Sequence, residues 1–447
     1  MITSGDNPST PTPADKEPIT FYHWMVVIIA SAGWLFDCMD QRLFALARQP
    51  AIREIIGKGG TDAWVTDMVS LATTIMLIGW ATGGIIFGTM SDRLGRVKTM
   101  AVTLLVYSGF TGLSGIARTI PEFMIYRFLV GLGVGGMFGA ATTLVAESVP
   151  TRIRAVALGS LQALSAVGNI IGSLISTQIQ PGREDFLFGM SGWRILFFVG
   201  ILPSILVVPT MMFLREPQKW KDARARAKSG HEKAGSIPDL FRHPTWRRNV
   251  LVGVGLGLAG MAGLWGVGFF SPELISIALK GSPQHVVDTV RGYGLAMQDV
   301  GAFLGMVVFT AVATRFGRKP AFFVGFLSCL VVTIYVFNNL KTGTDAYWML
   351  PLMGFAQLSV FGGYAIYFPE LFPTRLRGTG VGFCYNTVRY LAAGFPPMLA
   401  FFNRQLITAG AAEPFRTAAT ILSFIFVLGL VALIWAPETK GKPLPED

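Results

Sequence analysis

Twelve apolar runs, each of roughly 20 residues or more, recur along this chain and are separated by short polar connections. No other feature narrows the fold as much. A hydrocarbon core of roughly 30 Å is crossed by about 20 helical residues. The runs fall near 21–46, 65–90, 98–117, 121–146, 155–178, 193–214, 248–270, 291–314, 320–338, 345–369, 378–402 and 415–436. Lipid offers no partner to an open backbone group, so segments this long must be helices, and the alternation of barrel strands is absent. Hydrophobic residues make up 52% of the chain and charged ones 14%, too apolar for a water-soluble protein. The expected fold class is an all-α membrane protein with twelve transmembrane helices.

The polar, proline-rich stretch 1–20 reads as a disordered tail. The run after it lacks a small-residue cleavage site and should stay as the first span. Cys38, Cys329 and Cys384 all fall inside expected spans, where a thiol acts as a small apolar group, so no disulfide is expected. A formal net charge of +11 could point to nucleic acid, but its distribution argues otherwise. The tails and the loops after even-numbered spans hold 23 Lys and Arg, against 9 in the opposite loops. The positive-inside rule then puts both termini in the cytoplasm, with the protein multi-pass in a plasma (inner) membrane. The lipid bilayer, not nucleic acid, is the expected partner. A second reading of the cluster from Arg215 to Arg248 is contact with lipid headgroups.

The chain repeats itself. Glu147-Ser-Val-Pro150-Thr-Arg152-Ile-Arg154 after span 4 recurs as Glu370-Leu-Phe-Pro373-Thr-Arg375-Leu-Arg377 after span 10, 223 residues later. Asp92-Arg93-Leu-Gly95-Arg96 after span 2 recurs as Thr314-Arg315-Phe-Gly317-Arg318 at a separation of 222. The organisation expected is a bundle at 21–214, a basic linker at 215–247, a second bundle at 248–436 and a tail at 437–447. A parallel six-span repeat places a shared site near midplane between its halves, exposed alternately as the halves rock.

Gly88-Thr-Met-Ser-Asp92-Arg93-Leu-Gly95-Arg96-Val-Lys98 resembles the signature loop of the major facilitator superfamily, and through the repeat the resemblance covers essentially the whole chain. Arg127 with Gly131 and Gly133, Gly192-Trp193-Arg194, and Pro437-Glu438-Thr439-Lys440-Gly441 also fit. The resemblance implies two pseudo-symmetric six-helix bundles, a transporter rather than an enzyme, and no cofactor. Physically, such a loop needs glycine for a tight turn and a carboxylate to meet backbone donors and arginines. The gating residues expected are Gly88, Asp92, Arg93, Gly95, Arg96, Glu147, Arg152, Arg315, Arg318, Glu370 and Arg375. Thr314 replaces the aspartate in the second copy, which should weaken that latch. The competing reading is that these charges only solvate loops and set topology.

A charge at the bilayer centre costs about 3 kcal/mol, so those that occur there need a reason. Asp37 and Asp40 lie three apart on one face of span 1, with Arg42 on its flank. Arg127 lies in span 4, Asp299 in span 8, and Asn386 and Arg389 in span 11. At about 1.5 Å per residue, Arg389 sits some 16 Å into its span, near midplane. Its planar fork suits a carboxylate, although an ion pair with Asp37, Asp40 or Asp299 is the structural alternative. Paired aspartates in a cavity of low dielectric can exchange a proton, or they can simply neutralise Arg42 or Arg127. Candidates to meet a solute are Arg389, Asn386, Tyr385, Tyr364, Trp265 and Gln162. Those for proton coupling are Asp37, Asp40, Arg127 and Asp299, since His23, His231, His243 and His285 sit in or beside loops. Trp34, Tyr367 and Tyr390 could also stack on a solute, with packing as the alternative. Glycine pairs such as Gly84 with Gly88 read as close helix contacts, and Pro396-Pro397 should bend or interrupt span 11.

Gly33-Trp34-Leu35-Phe36-Asp37-Cys-Met-Asp40 and Gly382-Phe-Cys-Tyr385-Asn386-Thr-Val-Arg389 resemble the sialate and monocarboxylate proton symporters and the aromatic-acid symporters. That implies uptake of a small carboxylate with protons as the coupling ion, with Asp37, Asp40 and Arg389 as functional positions; a monomer is the expected state. Arg42 departs from the pattern and leaves the local charge balance open. An exporter would want proline after the span 5 glycine pair, where Ser173 stands, and a sugar symporter would want a glutamine-rich span 7. The enzyme motifs His-Glu-x-x-His, Gly-x-Ser-x-Gly and a phosphate loop are all missing, and no metal site is expected.

Overall fold

The computed structural model describes residues 18–57, 62–179, 181–228 and 235–446. The expected tail therefore lies mostly outside the described residues, as do 229–234 of the linker, His231 among them. Among the described residues the chain is helical, with one isolated bridge between Leu187 and Met190 outside it.

The twelve spans follow the expected order. Spans 1 to 5 are Phe21–Ile56, Asp62–Leu94, Arg96–Ser114, Ile120–Ser148 and Thr151–Ile179. Span 6 joins Gly192–Val199, a 3-10 turn at Leu202–Leu206 and Val207–Phe213. Span 7 runs through Pro244–Gly266 and Gly268–Phe270 into Ser271–Ala278, and spans 8 to 10 are Gln284–Phe316, Arg318–Asn339 and Gly343–Glu370. Span 11 is split into Arg377–Ala392 and Phe395–Thr408, and span 12 into Pro414–Ser423 and Ile425–Ala432. Two short helices, Gln218–Lys228 and Ile237–Arg242, occupy the linker.

Ten of these helical stretches are long and apolar enough to cross a membrane on their own. The two that fall short are span 3, 19 residues with Arg96 and Lys98 at its start, and span 11, which carries Arg377, Asn386, Arg389 and Arg404. Both are sheltered, span 3 against span 4 and span 11 against spans 2 and 7. The split in span 11 falls where the Pro396-Pro397 pair requires it. Helix stops at Ala392 and restarts at Phe395 with proline in its first turn, where the missing backbone donor costs nothing.

The halves meet along two lateral seams, span 2 on span 11 and span 5 on span 8. Glycines set the first seam. A Cβ on Gly382 would lie 2.3 Å from the Gly84 carbonyl oxygen, and one on Gly88 2.8 Å from that of Gly378. Towards the end that carries both termini, span 4 also touches spans 10 and 11, and span 5 touches span 10. That end is closed.

Candidate functional site

The closed end is held by charges that the repeat brings together. Asp92 accepts from the Gly378 and Thr379 amides (3.0 and 2.8 Å) and from Thr379 Oγ1 (2.6 Å). A carboxylate of one half thus caps the positive end of span 11 of the other. Arg96, fully buried, donates to Glu147 through Nε (2.9 Å) and Nη2 (3.0 Å), to the Thr374 carbonyl (2.8 Å), and pairs with Asp92 (3.1 Å). Arg377 crosses from the second half to the same Glu147. In the second copy Arg318 pairs with Glu370 at 2.9 Å, which also accepts from Thr439 Oγ1 at 2.6 Å. Among the described residues Thr314 bonds only its own helix, at the Thr310 carbonyl, and that copy shows no counterpart of the Asp92 cap.

The turns between spans 2 and 3 and between spans 8 and 9 depend on Gly95 (φ +120°) and Gly317 (φ +114°). Beside each sits a glutamate: Glu438, which the sequence shows only as part of the segment after span 12, and Glu216, which the sequence reading overlooked. Glu216 accepts from the amides of Arg96, Val97 and Lys98, and Glu438 from those of Arg318 and Lys319, each capping an opening helix. Their 222-residue separation is the signal that would have found them. Burial pushes the Glu216 carboxyl above its usual range despite its donors. At Glu438 burial acts the same way, but backbone donors from Arg318, Lys319, Lys440 and Thr439 outweigh it and hold the carboxyl below its usual range.

Some expected gating residues stand apart from this lock. Arg152 is exposed, and the buried members of its repeat are Arg154 and Arg377, two positions on, because only those point inward at the start of spans 5 and 11. Arg375 bonds Asp239 of the linker (3.3 Å), Arg93 bonds the Gly235 carbonyl (3.2 Å), and Arg315 lies exposed with its own carbonyl bonded by Lys440.

Deeper in, a second cluster forms between the halves. Asp37, on span 1, is fully buried, and neither of its carboxylate oxygens accepts a hydrogen bond among the described residues. Arg389, on span 11, lies within electrostatic reach of it. Its Nη1 donates to Asn386 Oδ1 (2.8 Å) and the Tyr385 carbonyl (3.2 Å), its Nε is buried without a partner among the described residues, and its guanidinium lies 3.7 Å from the Trp80 ring centroid. Phe138 stacks on Tyr385 across the seam at 3.9 Å and meets Trp34 at 5.0 Å. The indole nitrogens of Trp34 and Trp80 are also unpartnered.

Arg42 resolves the open charge balance. It pairs with Asp299 at 2.6 Å, bridging spans 1 and 8, and so leaves Asp37 without a counter-ion bond. The two aspartates of span 1 diverge: three residues of helix separate them by about 60°. Asp40 turns into the first bundle, where Thr111 Oγ1 donates to it at 3.1 Å and Arg127 stands within electrostatic reach. Arg127 itself bonds Ser114 and sits 4.7 to 5.6 Å from the rings of Phe197, Phe44 and Phe123.

Several expected solute contacts belong to the packing instead. The Tyr364 hydroxyl is taken by the Leu256 carbonyl (2.7 Å) and its ring by Phe368 and Phe322. Tyr367 bonds the Pro437 carbonyl, and Tyr390 bonds Thr82 at an exposed position. Trp265, half-buried, packs on Phe269. Gln162 is buried on span 5 with Oε1 unpartnered. The three cysteines are buried and free, and no group of residues that could hold a metal occurs among the described residues. Trp80 and Phe138 escaped the sequence reading. Gly79, Gly83 and Gly84, which let spans 4 and 11 close around Trp80, were the available clue.

The family model of the Major Facilitator Superfamily matches residues 30–397. The cis,cis-muconate transport protein of Acinetobacter baylyi is 30% identical over 82% of this chain and 84% of its own length. The sialic acid transporter NanX of Escherichia coli is 30% identical over 73% of this chain and 76% of its own. The proton:xylose symporter XylE superposes with a TM-score of 0.73 at 19% identity, covering 95% of this chain and 98% of that one, a likeness of fold alone. The chain belongs to the major facilitator superfamily and is a membrane transporter, not an enzyme.

Proposed function

We propose that this transporter takes up a small organic acid anion together with protons. The observation that carries this reading is the pairing, at the seam between the halves, of an arginine with an unpartnered Nε and a buried carboxylate that accepts no hydrogen bond. Burying a charge without a hydrogen-bonded counter-ion is costly, and here a bound solute and a proton can relieve both sides. Arg389, held by Asn386 and the Tyr385 carbonyl and set over the Trp80 ring, receives the carboxylate of the solute. Asp37 takes and gives the proton. Asp40 with Arg127, and Arg42 with Asp299, fix the charges around it. Phe138, stacked on Tyr385 and packed against Trp34, supplies apolar surface beside the site.

The names of the relatives support the substrate class, since muconate and sialic acid are both carboxylic acids. The excess of Lys and Arg at the terminus-bearing end supports an inner-membrane protein with both termini cytoplasmic. The conformation described is then closed to the cytoplasm. One chain supplies both walls of the site, which supports a working monomer, with the proton as the coupling ion.

The test is uptake into proteoliposomes of a labelled carboxylic acid, such as muconate or sialate, under an inward proton gradient. Accumulation that a protonophore abolishes is expected, and Arg389→Gln should reduce it by at least about 30-fold, the loss of one charge-assisted pair of roughly 2 kcal/mol. Uptake unchanged in Arg389→Gln overturns the site. Accumulation of neutral sugars alone overturns the substrate class.

A further inference from the structure

Away from the central site, spans 7 and 12 diverge at the terminus-bearing end to leave a groove of about 500 Å³ on the outer surface of the second bundle. Its walls are apolar: Leu251 and Gly255 on span 7 face Val431 on span 12, with the exposed Trp435 near the end of that helix. At Gly255 the helices touch, because a Cβ there would lie 3.0 Å from the Cβ of Ala432. The mouth holds Arg247 and Arg248, in the first turns of a helix that begins at Pro244. Both are exposed, and among the described residues neither side chain pairs with a carboxylate. An apolar channel on the outer surface, with two guanidinium groups and an indole gathered at the end of spans 7 and 12 where headgroups are expected, matches an amphiphile with an anionic head and an aliphatic tail. No protein side chain offers both parts at once.

We propose that this groove binds an anionic phospholipid, with its phosphate on Arg247 and Arg248 and one acyl chain lying along Leu251, Gly255 and Val431. The forks of two adjacent arginines suit phosphate oxygens, and the tail removes the groove from contact with bulk lipid. Each arginine near a headgroup contributes enough that losing both lowers affinity about 30-fold.

The experiment is native mass spectrometry of the purified full chain, titrated with phosphatidylglycerol or with phosphatidylcholine of the same chain length. Glycerol phosphate serves as a competitor without a tail. The expected result is preferential retention of phosphatidylglycerol that glycerol phosphate does not displace, lost about 30-fold in the double variant Arg247→Gln/Arg248→Gln. Val431→Trp, which fills the groove and leaves the arginines in place, should lower retention as well. Equal retention of the two lipids, full displacement by glycerol phosphate, or wild-type retention in both variants would each overturn the proposal. Thermal melts establish that both variants are folded before retention is compared.

Discussion

Replacing Glu147 with glutamine tests the lock at the terminus-bearing end. Glu147 and the two arginines that it serves, Arg96 and Arg377, have side chains with 0% exposure. Arg96 keeps Asp92 at 3.1 Å and the carbonyls of Ser91 and Thr374 when the charge is removed. Among the described residues Arg377 keeps neutral hydrogen-bond acceptors, the Pro369 and Pro445 carbonyls and Thr374 Oγ1, with Asp92 within electrostatic reach. Removing one partner of a buried ion pair costs about 3 to 5 kcal/mol, mostly the penalty of the charge left behind. Because Arg377 reaches Glu147 from the other half, that cost falls on the closed arrangement, and opening to water relieves it. At about 3 kcal/mol the equilibrium between the two shifts roughly 150-fold, so a closed state favoured 99 to 1 becomes a slight minority. Spin labels at exposed Leu94 and Phe316, one in each half, report the separation through pulsed dipolar spectroscopy. Glu147→Gln should add a longer-distance population of comparable weight. A distribution identical to wild type, in protein that melts as wild type does, would refute the claim that this carboxylate holds the halves together.

Gly95→Ala should lower the melting temperature by the equivalent of at least ~1 kcal/mol, since φ +120° strains any residue with a Cβ. The new atom would also lie 2.2 Å from a Glu216 carboxylate oxygen, whereas Gly109→Ala, inside span 3 with nothing within 4 Å, should be neutral or stabilising in the same melt. Glu438 predicts a pH dependence. Its carboxyl lies below the usual glutamate value, so its contribution is fully present above that value, about pH 4.3, and is lost as pH falls through the lower folded one. Thermal stability of wild type should therefore drop more steeply below about pH 4.3 than that of Glu438→Gln, and parallel curves would contradict the capping role.

Much of the fold was legible because its determinants are local. Twelve apolar runs, the 223-residue and 222-residue repeats, the two glycine turns and the proline break after Arg389 all follow from chain chemistry read within a few residues. The charge asymmetry between the two sets of loops is equally local. Asp37 and Arg389 stood out for the same reason, since a charge within an apolar run is conspicuous wherever it occurs.

Partners were a different matter. Reading Asp37 and Asp40 as one pair relied on their spacing of three, yet about 60° of helical rotation at the junction of two bundles sends one towards Arg389 and the other towards Arg127. Arg42 finds Asp299 across 257 residues of sequence, and Arg377 rather than Arg375 finds Glu147 across 230. Hydropathy and periodicity say which residues leave the lipid-facing surface, and so the sequence alone determined the spans, the duplication and the short list of buried charges. Which of those charges are neutralised, and which one is left bare between the halves, was decided only by tertiary packing, because it depends on the rotation of each helix against neighbours that the chain reaches hundreds of residues later.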